Sequence, residues 1–126
     1  MKPIIITNNP KVRQKYSNDY EVVFIDGTYM EVLITIRDFI HKGHELLTHP
    51  LSGSIKPNET PYKSALISNI KGKMNMESIM IIEDSIQTAK KFQTMKKTPQ
   101  WSQAILKDFS EIDYRLLDSG LQSMLY

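Results

Sequence analysis

Short apolar runs alternate with amphipathic stretches through the first half of the chain, and the second half is mostly amphipathic. Pro3–Thr7 is an apolar run of strand length. Asn9 then supplies an N-cap and Pro10 an N1 residue whose φ already suits a helix, so a short helix is expected through about Tyr16. Glu21–Ile25 is rich in β-branched residues and reads as the second strand. Asp26-Gly27 turns the chain, and Thr28 with Glu31 forms a capping box for the next helix. That helix places Leu33, Ile36 and Ile40 at helical spacing, with Tyr29 and Val32 widening the stripe, and stops at His41-Lys42-Gly43. His44–Thr48 reads as a third strand and Lys63–Asn69 as a fourth, separated by a loop over His49–Tyr62. Asn75 caps a helix striped by Ile79, Ile82, Ile86, Ala89 and Phe92. Thr98-Pro99 repeats the signal, and Trp101, Ile105, Phe109, Ile112 and Leu116 continue at helical spacing.

The order βαβαβ, long loop, βαα argues one α/β domain over residues 1–126. Its expected architecture is three-layered and Rossmann-like, with helices on both faces of a short, mostly parallel four-stranded sheet. The fourth strand follows a loop without a crossover helix, so it is expected antiparallel to the third.

Composition narrows this little. At 126 residues, 40% hydrophobic and 24% charged, the chain has the make-up of a folded domain rather than a disordered one. With no cysteine it can hold no disulfide, thiolate metal site or cysteine nucleophile. A net charge of +2 gives no reason to expect nucleic acid as a partner. The apolar start Ile4-Ile5-Ile6 is too short for a secretory or membrane segment, so no membrane contact is expected and the cytoplasm is the default. Asn58-Glu59-Thr60 matches a glycosylation sequon, which has no consequence without secretion. Lys90-Lys91 and Lys96-Lys97 fall at a helix end, where lysines favour the dipole and solvent.

Ligands of open α/β sheets bind beyond the carboxyl ends of the parallel strands. Here those ends carry Asn8 and Asn9, then Asp26 and Thr28, then Thr48, His49, Ser52, Gly53 and Ser54. An antiparallel fourth strand adds Lys63 and Ser64 to the same rim. Hydroxyls, the lysines Lys56 and Lys63, and helix N-termini suit a phosphate, nucleotide or carboxylate. Residues 44–74 carry four lysines (Lys56, Lys63, Lys71, Lys73) against Glu45 and Glu59, a local positive excess around this loop. The plainer alternative is a surface loop stiffened by Pro50, Pro57 and Pro61.

Catalytic signals are sparse. His41, His44 and His49 lack the spacing of a helical zinc motif, so no metal and no cofactor is expected. His49, at a strand end within the polar loop, is the one candidate acid/base. Gly53 to Lys63-Ser64 has the wrong length for a phosphate-binding Walker loop, and no glycine fingerprint follows the first strand. Asp26 fits an ordinary Asp-Gly turn as well as a ligand contact, and Glu111 and Asp113 read as a solvated helix face.

The run from Leu47 through Thr48-His49-Pro50-Leu51-Ser52-Gly53-Ser54 to Tyr62-Lys63-Ser64 resembles the GrdX family, as do Thr7-Asn8-Asn9-Pro10 and Ile36–His44. The resemblance covers most of the chain. It implies a small protein encoded beside the glycine, sarcosine and betaine reductase complex of amino-acid-fermenting anaerobes, whose substrates are reduced to acetyl phosphate and ammonia. It brings no catalytic residue with it. Three functions are therefore compared. The first is an accessory protein of that system binding a small anion at the rim. The second is a small enzyme acting on phosphoryl or acyl groups, with His49 as acid/base and Lys63 stabilising charge. The third is an assembly factor that binds no ligand. Reductase subunits are the expected protein partners, and a homo-oligomer is compatible with all three.

Overall fold

The computed structural model describes residues 2–51 and 55–124. Its elements run β1 (Ile4–Thr7), α1 (Pro10–Tyr16), β2 (Glu21–Phe24), α2 (Tyr29–His41), β3 (Ser64–Ile67), α3 (Met76–Met95) and α4 (Gln103–Met124). Local chemistry sets the helix starts. The Asn9 side chain accepts from the Lys11 amide at 3.0 Å, and the Asn75 side chain from the Ser78 amide at 2.8 Å. Thr28 and Glu31 exchange both bonds of a capping box. The end of α2 is a Schellman turn, with Gly43 N–H on the Ile40 carbonyl and His44 N–H on that of Phe39. Gly43 holds φ at 108°, and a Cβ there would run into the Gly72 carbonyl.

The sheet has three strands in the order β2-β1-β3 and is mixed. β1 pairs with β2 in parallel, Ile4 opposite Glu21 through Thr7 opposite Phe24. It pairs with β3 antiparallel, Ile4 opposite Ile67 through Thr7 opposite Ser64. This corrects the expected four-stranded, mostly parallel, Rossmann-like sheet. The segment 44–48 contributes only an isolated antiparallel bridge between Leu46 and Ile67. Leu47 N–H and Ser68 N–H do reach the Leu66 and Glu45 carbonyls, but hydroxyl groups take the neighbouring amides. Glu45 N–H donates to Ser68 Oγ at 2.8 Å, Leu46 N–H to Ser78 Oγ at 2.9 Å, and Leu66 N–H to Thr48 Oγ1 at 3.0 Å.

Alternation along the strands divides the interior in two. Ile4, Ile6, Ala65 and Ile67 face α2 and α3, and there they pack with Leu33, Ile36, Ile40, Ile82 and Ile86. Ile5 and Leu66 face α1 and α4 and meet Val12, Leu117 and Leu121. The inner face of α4 is a second correction. The expected stripe puts Ile105, Ile112 and Leu116 inside, yet these are 39%, 41% and 44% exposed. The buried positions are Asp113, Leu117 and Leu121, four residues apart. Gly120 lies beside them, and even a Cβ built there would sit 3.4 Å from Thr48 Cγ2.

Candidate functional site

Period-two alternation leaves Thr7 and Ser64 on the same face as Ile5 and Leu66, directly beneath α4. Ser64 Oγ donates to Asp113 Oδ2 at 2.7 Å. That commits its only proton, so Thr7 Oγ1 donates to Ser64 Oγ at 2.6 Å and itself accepts from the Asn9 amide at 2.9 Å. Asn9 Nδ2 donates to the same Asp113 oxygen and to the Ser110 carbonyl, each at 2.9 Å. Thr7, Asn9, Ser64 and Asp113 are all buried. The carboxylate is thus held by two donors on one oxygen, in a fixed orientation.

Lys63 enters this region from the loop side. Its amide donates to Asn8 Oδ1 at 2.9 Å, and Asn8 Nδ2 donates to the Gly27 and Pro61 carbonyls at 3.0 and 2.8 Å. Asn8 therefore clamps the start of β3 against the ends of β1 and β2. The Lys63 side chain is only 8% exposed. Among the described residues no hydrogen bond or ion pair reaches its ammonium, whose aromatic neighbour is the Tyr29 ring at 5.9 Å. Burial pushes the Lys63 pKa down, against the pull of the Asp113 charge. Burial likewise pushes Asp113 up, opposed by Asn9, Ser64 and the Lys63 charge. The two charges influence each other but stand more than 4.0 Å apart.

Both line a cavity of about 180 Å³ with Thr48, His49 and Ser64, walled by Leu116, Leu117 and Gly120 of α4. Leu51 N–H donates to His49 Nδ1 at 3.1 Å, so a neutral His49 ring carries its proton on Nε2. Of the rim residues expected from sequence, the fold thus brings Thr48, His49, Lys63 and Ser64 to one pocket. Asn8 and Asn9 lie behind it as internal braces. Asp26 and Thr28 are exposed, with Thr28 capping α2 on a separate, wider groove of about 1070 Å³. Lys56 is exposed on a third groove beside Trp101. Ser52, Gly53 and Ser54 lie outside the described residues.

The rest of the long loop is anchored. Asn58 Nδ2 donates to the Phe92 and Lys96 carbonyls at the end of α3, at 3.2 and 3.0 Å, and Trp101 Nε1 donates to the Glu59 carbonyl at 2.7 Å. The other histidines sit apart from the pocket. His41 faces Glu83 at 3.6 Å, and His44 Nδ1 meets the Ser68 carbonyl at 2.7 Å. Glu111 pairs with Lys11 and Arg115 at the surface. Asp113, expected with it on a solvated face, is instead the residue that sequence reasoning missed. Its signal was spacing, since Asp113 leads Leu117 and Leu121 at intervals of four.

These features define a small α/β protein with a buried lysine and a buried aspartate on one pocket at the sheet rim. A model of the GrdX-like protein family matches residues 4–122, and the chain belongs to that family. Neither the curated proteins nor the solved structures contain a match to it. Among the described residues, no helix is long and apolar enough to cross a membrane.

Proposed function

We propose that this protein is an accessory component of the glycine reductase system that binds a small anionic ligand through Lys63. Family membership supports the reductase link. One observation carries the ligand: Lys63 is buried, 8% exposed as a residue, and its ammonium has no hydrogen-bonding or ionic partner among the described residues. Burying an unpaired charge is costly, and an anion docked beside it offsets that cost. The cavity of about 180 Å³ accommodates a phosphate or carboxylate and is too small for a whole nucleotide.

Titration calorimetry with inorganic phosphate, acetyl phosphate, acetate and glycine tests this reading. At least one should bind the wild-type protein, and Lys63→Met should weaken that binding by about tenfold or more. No heat with any of the four, from folded protein, would overturn it. The presence of His49 on the same cavity favours a second reading, a small enzyme with His49 as acid/base. That reading requires turnover of a bound compound, lost in His49→Ala while binding persists.

A further inference from the structure

Two residues of opposite charge line one cavity without touching. Lys63 and Asp113 both line the pocket, and their nitrogen and oxygen atoms stay beyond 4.0 Å. A structural ion pair would close that gap, since direct contact is what offsets the desolvation of both groups. Asp113 is not free to swing toward Lys63, because Asn9 and Ser64 both donate to its Oδ2. The carboxylate is thus preorganised, with the Lys63 ammonium standing off from it.

A simple anion answers only half of this arrangement. Phosphate or acetate beside Lys63 would also lie near the Asp113 carboxylate, and repulsion at low dielectric would cancel much of the gain. We propose that the pocket is built for a small amino-acid zwitterion, with the ligand carboxylate at Lys63 and its ammonium at Asp113. In an α-amino acid one carbon joins the two groups, so a single ligand reaches both residues. The cavity of about 180 Å³ holds a compound of a few heavy atoms. Leu116 and Leu117 offer an apolar wall to its carbon, and neither side chain brings a further charge.

This proposal rests on the pocket being a ligand site, and the test separates the two. Glycine, acetate, methylamine and inorganic phosphate are titrated separately into the wild-type protein, Lys63→Met and Asp113→Asn. Glycine should bind wild type about tenfold or more tightly than acetate or methylamine, each of which carries one of its two charges. Asp113→Asn should weaken glycine about tenfold and leave acetate unchanged or tighter, whereas Lys63→Met should weaken both. Acetate or phosphate binding as tightly as glycine would overturn the zwitterion and leave the anion site standing. Binding of none of the four would overturn the zwitterion, and a silent acetyl phosphate titration besides would overturn the anion site. If Asp113→Asn does not fold, the comparison of glycine with acetate on wild type decides alone.

Discussion

The two faces of the sheet are held by different means. On the α2/α3 side, twelve buried residues form a continuous cluster that is apolar except for the Tyr29 hydroxyl. On the α1/α4 side the apolar cluster has five members, and the space toward the rim is filled by Thr7, Asn9, Ser64 and Asp113. The first side is stabilised by area removed from water, which needs no particular geometry. The second depends on a directional network in which each member satisfies the next. The pocket lies where the second kind of packing ends, and among the described residues Lys63 has no hydrogen-bonding or ionic partner. The larger apolar core and the proposed ligand pocket thus lie on opposite faces of one three-stranded sheet.

The comparison is sharpest for one substitution made on each face. Leu33 on α2 is fully buried in the larger cluster, and Leu117 on α4 is 4% exposed in the smaller one, beside the cavity. Leu33→Ala leaves a void enclosed by side chains and should cost about 4 kcal/mol. Leu117→Ala opens into an existing cavity that water can share, and should cost about 2.5 kcal/mol. Chemical denaturation of the two variants measures the difference. Equal losses would mean that the α4 side is packed as tightly as the other, and the contrast between the faces would fail.

The network should be nearly as consequential as the large core, although it contains few apolar atoms. Asp113→Ala leaves Ser64 and Asn9 without their shared acceptor in a buried site, and should cost about 3 kcal/mol. Asp113→Asn retains an acceptor oxygen and should cost less than half as much. A loss below about 1 kcal/mol in the alanine variant would show that α4 is held by Leu117 and Leu121 alone.

How much of this could be read from the sequence follows the same division. Caps and stops are local, and Asn9, Thr28 with Glu31, Gly43 and Asn75 all act where their neighbours place them. The α2 stripe of Leu33, Ile36 and Ile40 is legible because one apolar face has no competitor. The segment 44–48 is not, because its fate depends on hydroxyls of Ser68 and Ser78, which lie 23 and 32 residues away. On α4 two overlapping faces compete, and counting apolar side chains selects Ile105, Ile112 and Leu116. The partners that draw Asp113 inward, Asn9 and Ser64, are 104 and 49 residues distant. Helical periodicity carries no information about them. Lys63 and Ser64 were legible because they stand at the start of β3, and Thr48 and His49 reach the same pocket although the strand expected before them is only an isolated bridge, whereas the carboxylate came from a helix face that tertiary contacts select.

The smallest expected effect concerns protons and separates the two carboxylates of α4. Burial raises the Asp113 pKa above its ordinary value, more than Asn9, Ser64 and Lys63 lower it. The folded state then holds a proton that the unfolded chain has already released, so this group's contribution to stability falls as pH rises through that window and levels off above it. Glu111 behaves oppositely. Hydrogen bonds from Lys11 and Arg115 and their charges lower its pKa, so its contribution is present above the unfolded value and fades as the solution is acidified. Asp113→Asn removes the first dependence and leaves the second. Measured by denaturation between about pH 4 and pH 7, around the ordinary carboxylate range and above it, its cost relative to wild type should shrink as pH rises. Glu111→Gln should show a cost that grows over the same interval. A cost for Asp113→Asn that instead grew with pH would mean that Lys63 and the two donors outweigh burial. The aspartate would then be stabilised as an anion before any ligand arrives.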